Sequence, residues 1–445
     1  MNVWSIVVVI LMLGVLVTIH ELGHFWVASL LKIKAFEVSI FVGPRLVHWK
    51  RKGVDYSIRL IPLGAYVRFT DIDENGEAVV SDDPALLINQ PRWKRLLVSL
   101  AGPFMNVVLG VLIFSALYWA TGFTSLDLGV APEGSQLYSQ EYNVGDTITA
   151  VNGKRVYTYL DFYYMTDNSI PRTEKLTVSL KSAETGKKFD VVLNPELKTR
   201  PMLGITTYRT VDEKYHGWEI LNVDENQNQG NPVLKVGDFL THVDGKSVED
   251  KDFSEFLETL GEGDTLKLTF IRNGEKIEKE CVKTMITYSN DRGLRLLAYR
   301  VDSPKTVFRA FGYAAKIPMS VIILSAKSIS DVFKGKEKVY NMVSGPVGVT
   351  TVVNDVVGDV DDDVGEKVYM LIVISGIISI GLTFTNLLPI PGLDGVQIIL
   401  IVVEMVIGRR LSKKAENVIN VVGFFLLIAL VIFAFASDII RILVG

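Results

Sequence analysis

Hydrophobic and polar positions divide this chain into two regimes. Near its ends lie long runs almost free of charge: Val3 to Leu31, Leu96 to Gly122, Val368 to Leu393 and Asn417 to Ala436. Crossing a bilayer takes about 20 such residues, so these four predict transmembrane helices. A fifth apolar run, Ile317 to Ala326, is bounded by Lys316 and Lys327. It is too short to cross and is expected to lie in the interface.

Elsewhere the pattern is that of strands. Between the first two spans, Phe36 to Phe41, Leu46 to Lys50, Val54 to Leu60 and Ala65 to Phe69 collect β-formers around Gly43-Pro44, Lys52-Gly53 and Pro62-Leu63-Gly64. This predicts a small sheet of hairpins, apolar enough to dip into the membrane. Its exposed edge is suited to take a substrate segment as an added strand, and a structural hairpin that only covers the site is the equal alternative.

The region after the second span contains a repeat. Val144 to Val156 (VGDTITAVNGKRV) matches Val236 to Val248 (VGDFLTHVDGKSV), each copy a strand, an Asn-Gly or Asp-Gly turn and a second strand. The pattern resembles PDZ domains, which places two in tandem at about 127–208 and 213–300. Peptide recognition by strand addition is the default for such modules. Neither copy has a Gly-Leu-Gly-Phe type carboxylate loop, so steric filtering of substrates is the alternative role.

Charge sets the orientation. Lys32, Lys34, Arg92, Lys94 and Arg95 flank spans 1 and 2, and Arg409, Arg410, Lys413 and Lys414 lie between spans 3 and 4. Basic loops face the cytoplasm, so both termini and the repeat region are expected outside it. The net charge of -4 and the absence of a basic stripe with interleaved aromatics argue against nucleic acid as a partner. A single cysteine, Cys281, excludes an internal disulfide framework and a multi-cysteine metal site. The first span lacks a basic n-region and a small-residue cleavage site, and reads as a retained helix.

The unusual chemistry lies inside that span, at His20-Glu21-Leu22-Gly23-His24. Residues four apart share one helix face, so both imidazoles can aim at one ion. In the H-E-x-x-H pattern two histidines hold zinc and the glutamate is a general base. A helical His pair can also be satisfied by hydrogen bonds alone. Here, however, the neighbours are uncharged for a full span, and ionisable groups at membrane depth cost about 2.5–3.5 kcal/mol each unless partnered.

A third ligand is still required. Of the five histidines, His216 and His242 fall in the soluble region, which leaves His48 or a carboxylate. Span 3 ends in Thr385-Asn386-Leu387-Leu388-Pro389-Ile390-Pro391-Gly392-Leu393-Asp394-Gly395, where two prolines break the helix and Asp394 is the first charge after Lys367. Broken helix at membrane depth lines cavities. Asp394 is therefore favoured over the reading that makes it a surface cap.

With these residues the chain resembles the site-2 protease family of intramembrane zinc metalloproteases, and its regulator of sigma-E protease branch in particular. The resemblance also rests on Ile61-Pro62-Leu63-Gly64-Ala65-Tyr66-Val67, Ala101-Gly102-Pro103-Phe104-Met105-Asn106 and Ser344-Gly345-Pro346-Val347. The turn Phe41-Val42-Gly43-Pro44 departs from the family's more usual Gly-Phe-Gly type. The resemblance implies Zn2+ on His20, His24 and Asp394, Glu21 as catalytic base, and substrate contacts at Asn386, Pro389 and Gly43. It implies hydrolysis of peptide bonds within transmembrane segments of single-pass proteins, such as anti-sigma factors or signal-peptide remnants, in a bacterial inner membrane.

The expected fold is a multi-pass α-helical membrane protein with four transmembrane helices, a membrane-associated β-hairpin sheet and two tandem PDZ-like α+β domains. In chain order these are span 1 (1–33), the cytoplasmic-side sheet (34–91), span 2 (92–122), the PDZ-like domains, an interfacial linker (301–366), span 3 with its broken segment (367–404), a cytoplasmic loop (405–416) and span 4 (417–441). Two rival functions are a non-catalytic PDZ scaffold and a divalent metal transporter. The first would not need Glu21 between the histidines. The second should line a polar path across the bilayer, whereas spans 2 and 4 offer only scattered groups such as Asn106, Ser115 and Asn420.

Overall fold

A computed structural model describes the chain except for residues 1, 71–80, 169, 212–215, 225–226, 260–264, 336–344, 359–362, 391, 411 and 445. Ser344 and Pro391 of the motifs above therefore lie outside the described residues, as does part of the 301–366 linker. The chain forms two compact units, one of Met1–Leu126, Val156–Phe162 and Leu297–Gly445, the other of Asp127–Arg155 and Tyr163–Leu296.

The first unit is built on α1 (Val3–Leu30), whose N-terminus is capped by the Asn2 side chain accepting from the Trp4 amide. Two long strands follow, β1 (Glu37–Arg51) and β2 (Val54–Arg68). Each turns at a Gly-Pro or Pro-Leu-Gly tip, so four segments form one sheet. Residues 37–40 pair with 65–68 on one side and 55–58 on the other, while 45–51 pair with 54–59. This is the predicted set of hairpins.

The sheet lies along α1. A Cβ on Gly14 would come within 2.5 Å of the Pro62 carbonyl, so the tips at 41–44 and 61–64 reach the depth of Gly14. That is six residues, or about 9 Å, from His20. The sheet's polar centre is Glu37, which accepts from Arg45, Arg59 and Tyr66 at 2.8–2.9 Å. Burial opposes its charge, yet these donors hold the carboxyl down at about 2.

Next comes α2 (Arg92–Thr121), with Pro103 inside it. Beyond β3 (Phe123–Leu128), the second unit carries the two repeat copies as equivalent structures. In the first, β4 (Thr147–Val151) turns into β5 (Lys154–Arg155), helix α3 (Tyr159–Tyr163) falls in the first unit as far as Phe162, and β6 (Leu176–Lys181) and β7 (Lys188–Leu193) extend the sheet. After β8 (Leu197–Met202), β9 (Ile205–Val211) and β10 (Trp218–Val223) comes the second copy. Here β11 (Phe239–Val243) turns into β12 (Lys246–Ser247), followed by α4 (Phe253–Thr259), β13 (Thr265–Arg272) and β14 (Glu275–Val282).

The repeated Asn and Asp do the same work. Both turns have positive φ at the Asn/Asp and the Gly, and Asn152 and Asp244 each accept a backbone N–H from the neighbouring strand, of Thr177 and Lys267. The second sheet encloses Leu240, Val243, Phe253, Leu268, Phe270 and Cys281, all at or below 1% exposure. Burial pushes the Cys281 thiol up to about 11, which makes it an inert strand cysteine. Native protein should therefore resist iodoacetamide at pH 7.5 and become stoichiometrically alkylated in denaturant; rapid native labelling would contradict the buried placement.

After β15 (Thr284–Ser289) the chain re-enters the first unit at Leu297, within β16 (Leu296–Tyr299). There α5 (Pro304–Ala314) and α6 (Ile317–Phe333) make a helical stretch longer than the predicted interfacial segment. The physical reason is visible: Lys327 and Asp331 sit one turn apart and pair at 3.0 Å, so the helix continues past the charge that ends the apolar run. Among the described residues, five helical stretches, Pro304–Phe333 among them, are thus long and apolar enough to cross a membrane, against the four expected.

Three segments complete the unit. After α7 (Pro346–Gly358), α8 (Val364–Asn386) breaks at 387–393, and α9 (Asp394–Ile407) and α10 (Lys413–Val444) follow. The buried Asp438 of α10 accepts from the Gly345 and Gly348 amides at the start of α7.

Basic residues at the start of α2 hold the far end of α9. Arg95 pairs at 2.8 Å with Glu404, which is 1% exposed, and Arg92 donates to the Gly408 carbonyl. Removing one partner of such a pair costs about 3–5 kcal/mol, because the other charge stays buried. Arg95→Met should therefore lower the unfolding midpoint sharply, and adding Glu404→Met should restore most of it. A double variant no better than the single would show that the charge is not the cause.

Candidate metal centre

Each side chain of the candidate centre is placed by a local feature of its element. On α1, His20 and His24 lie one turn apart with their Nε2 atoms 3.3 Å from each other. Asp394 arrives because α8 cannot continue through Leu388-Pro389. The carbonyls of Leu387 and Leu388 then fold back onto Gly395, where a Cβ would meet them at 2.4 and 2.3 Å. This close approach requires glycine and starts α9 with Asp394 in its first turn. The Asp394 Oδ2 atom lies 2.9 Å from His20 Nε2 and 3.4 Å from His24 Nε2.

The donor set fits zinc. Bonds of about 2.0–2.1 Å to nitrogen and oxygen put tetrahedral donor atoms roughly 3.4 Å apart, close to the three spacings found. Among the described residues this is the group of His, Cys, Asp and Glu side chains whose ligand atoms converge in this way. The space beside the nitrogens is kept by α2. A Cβ on Gly102 would lie 2.3 Å from His24 Nε2 and 2.7 Å from His20 Nε2.

The rest of each imidazole is held from behind. His24 Nδ1 donates to the Val98 carbonyl at 2.7 Å, which leaves Nε2 as the ligand atom. His20 Nδ1 faces two side-chain amides, Asn106 at 3.3 Å and Asn386 at 3.5 Å. Thr383 and Ser379 of α8 donate to the carbonyls of Pro103 and Asn106, tying the α8 face to α2 beside the centre.

Glu21 is not one of the three converging donors. Its Oε2 accepts the Val67 amide at 3.2 Å, from the 65–68 margin of the sheet. Of the predicted contact residues, Asn386 is therefore at the histidines. Pro389 is exposed in the broken segment, and Gly43 sits in the sheet tip, where its carbonyl accepts from Arg59. His48 is exposed on a strand across from Ser57 and does not join the group. Gly102, Val67 and Val98 were not legible as site residues from the sequence, since their roles depend on how α2 and the sheet lie against α1.

Comparison with known proteins agrees with this chemistry. The profile of Peptidase family M50 matches residues 8–430. A relative from Clostridium acetobutylicum, described as a "putative zinc metalloprotease", is 26% identical over 99% of this chain and 98% of its own length. One from Neisseria meningitidis with the same description is 27% identical over 96% and 97%. A "regulator of sigma E protease" from Haemophilus influenzae is 24% identical over 98% and 99%.

Proposed function

Because the chain belongs to Peptidase family M50 and is an intramembrane zinc metalloprotease, we propose that His20, His24 and Asp394 hold its Zn2+ and that Glu21 is the catalytic base. The observation that carries this reading is the convergence of the three ligand atoms within 4.8 Å of one another, with Glu21 on the same helix. Zinc bound there supplies a Lewis acid for the scissile carbonyl and lowers the pKa of water from 15.7 toward about 7. The protein's own residues do the rest. The Val67 amide holds Glu21 Oε2, so Oε1 is the atom that takes the proton and returns it to the departing amine.

A helical substrate hides its carbonyls in hydrogen bonds and must be unwound before attack. We assign that task to the 65–68 margin of the sheet, with Asn386, Pro389 and the tip at Gly43 as further substrate contacts. The substrates are single-pass membrane proteins of the anti-sigma-factor or signal-peptide-remnant kind. Four spans cross an inner membrane, namely α1, α2, α8 continued by α9, and α10. The cytoplasmic side is the one where Arg92 and Arg410 meet Gly408 and Ile88. The two repeats are PDZ-like domains outside the cytoplasm that admit substrates already trimmed there.

Purified protein should cut a single-span test substrate at bonds that mass spectrometry maps inside the apolar span. Cleavage confined to soluble segments would overturn the reading. Trimmed substrates should be cut faster than those with a bulky outer domain; equal rates would remove the filter.

A further inference from the structure

We propose that Asn106 is the positioning residue of His20, its side-chain carbonyl accepting the imidazole Nδ1–H, and that Asn386 is thereby left to the substrate. The inference rests on the ligand reading above. An imidazole that ligates through Nε2 while neutral carries its proton on Nδ1, and this proton needs an acceptor. For His24 the acceptor is the Val98 carbonyl. Among the described residues, the hydrogen-bonding groups at His20 Nδ1 are amide side chains, those of Asn106 and Asn386.

Asn106 suits the task better. It is 0% exposed, and its Oδ1 is buried without a hydrogen-bond partner while its Nδ2 faces the ring. The two ends of a primary amide have nearly the same shape. A half-turn of the side chain therefore brings Oδ1 to Nδ1–H and gives the orphaned oxygen its partner with no change of packing. The backbone cannot follow the side chain away, since Ser379 donates to the Asn106 carbonyl at 2.8 Å.

Asn386 is different in each respect. It is the last residue of α8, only partly buried, more distant from the ring at 3.5 Å and next to the broken segment that opens toward Pro389. An amide so placed can turn from the ring to a freed substrate backbone, donating and accepting at once. The two asparagines thus divide the labour: one fixes the ligand's tautomer and the other meets the peptide.

The test is zinc affinity of the purified full-length protein, read by chelator competition and by the visible spectrum of the cobalt form. Asn106→Leu should weaken zinc by about 10–100-fold. Asn106→Asp, which keeps an acceptor at the same place, should stay near wild type and retain the cobalt spectrum. Asn386→Leu should leave affinity unchanged and raise KM for a single-span substrate. Wild-type affinity in Asn106→Leu, or an equal loss in Asn386→Leu, would overturn the proposal.

Should Asn106→Leu fail to fold, nitrogen NMR of the wild-type zinc form, with only five histidines to assign, decides instead. His20 is expected to be protonated at Nδ1 and in contact with Asn106; contact with Asn386 alone refutes the assignment. His20→Ala separates the two levels. If it loses zinc while Asn106→Leu keeps it, only this proposal fails; if it keeps zinc, the ligand reading itself fails.

Discussion

Glu21→Gln is expected to bind zinc as the wild type does and to cleave a single-span substrate about 10²–10⁴-fold more slowly, the span attributed to a positioned general base. The reasoning is geometric. Glu21 contributes none of the three converging ligand atoms, which come from His20, His24 and Asp394. Its substitution by an isosteric amide removes the proton acceptor and little else. The Val67 amide at 3.2 Å can still be satisfied by the glutamine oxygen, so the sheet margin keeps its place. Metal analysis and a cleavage time course on the same preparation check both halves. Zinc loss in Glu21→Gln would make the residue a ligand, and wild-type cleavage would remove it from the mechanism. Asp394→Asn provides the contrast, since there the zinc itself should be held more weakly.

The grouping of the two histidines apart from Glu21 was readable from the sequence because a helix fixes the angular relation of i, i+1 and i+4 without help from the rest of the fold. His20 and His24 share a face, and Glu21 stands about 100° away from the first. The strands of the β1–β2 sheet were readable for a similar reason: Gly43-Pro44, Lys52-Gly53 and Pro62-Leu63-Gly64 punctuate the β-forming runs at the turns. Asp394 was reachable because it is the first charge after Lys367, in a segment where two prolines break an apolar run.

Other features depend on neighbours that no local pattern reveals. Glu404 reads as one acidic residue near the end of an apolar run, and only the fold shows Arg95 beside it. The extent of α6 is not visible locally, because Lys327 resembles a boundary, whereas it pairs with Asp331 along the helix. Asn106 and Gly102 occur in a motif that resemblance singles out, but a motif does not say what its residues touch. Their meaning appears when α2 is laid against α1 with Ala101, Gly102 and Met105 facing His20, Gly23 and His24.

Gly102→Ala should consequently abolish the metal site with a single methyl group. The added Cβ would lie 2.3 Å from His24 Nε2, 2.6 Å from its Cε1 and 2.7 Å from His20 Nε2. Real Cβ atoms do not approach nitrogen this closely, so something must move. The imidazoles have little room to do so: His24 is tied to the Val98 carbonyl, and both histidines are buried. Backing α2 away is opposed by Gly23, which meets Ala101 and Met105 on the same interface. Overpacking of this kind costs about 1–3 kcal/mol in stability. Its effect on the site should be larger, because the methyl group stands beside both ligand nitrogens. Zinc affinity should fall by more than about 100-fold, beyond the loss typical of a residue that merely supports a ligand. Cleavage should disappear with it, while thermal unfolding of the metal-free protein shifts only modestly. Gly102→Ala protein that binds zinc stoichiometrically would show that the interface between α1 and α2 opens more easily than this packing implies, and that the ligand nitrogens do not face Gly102 in the working enzyme.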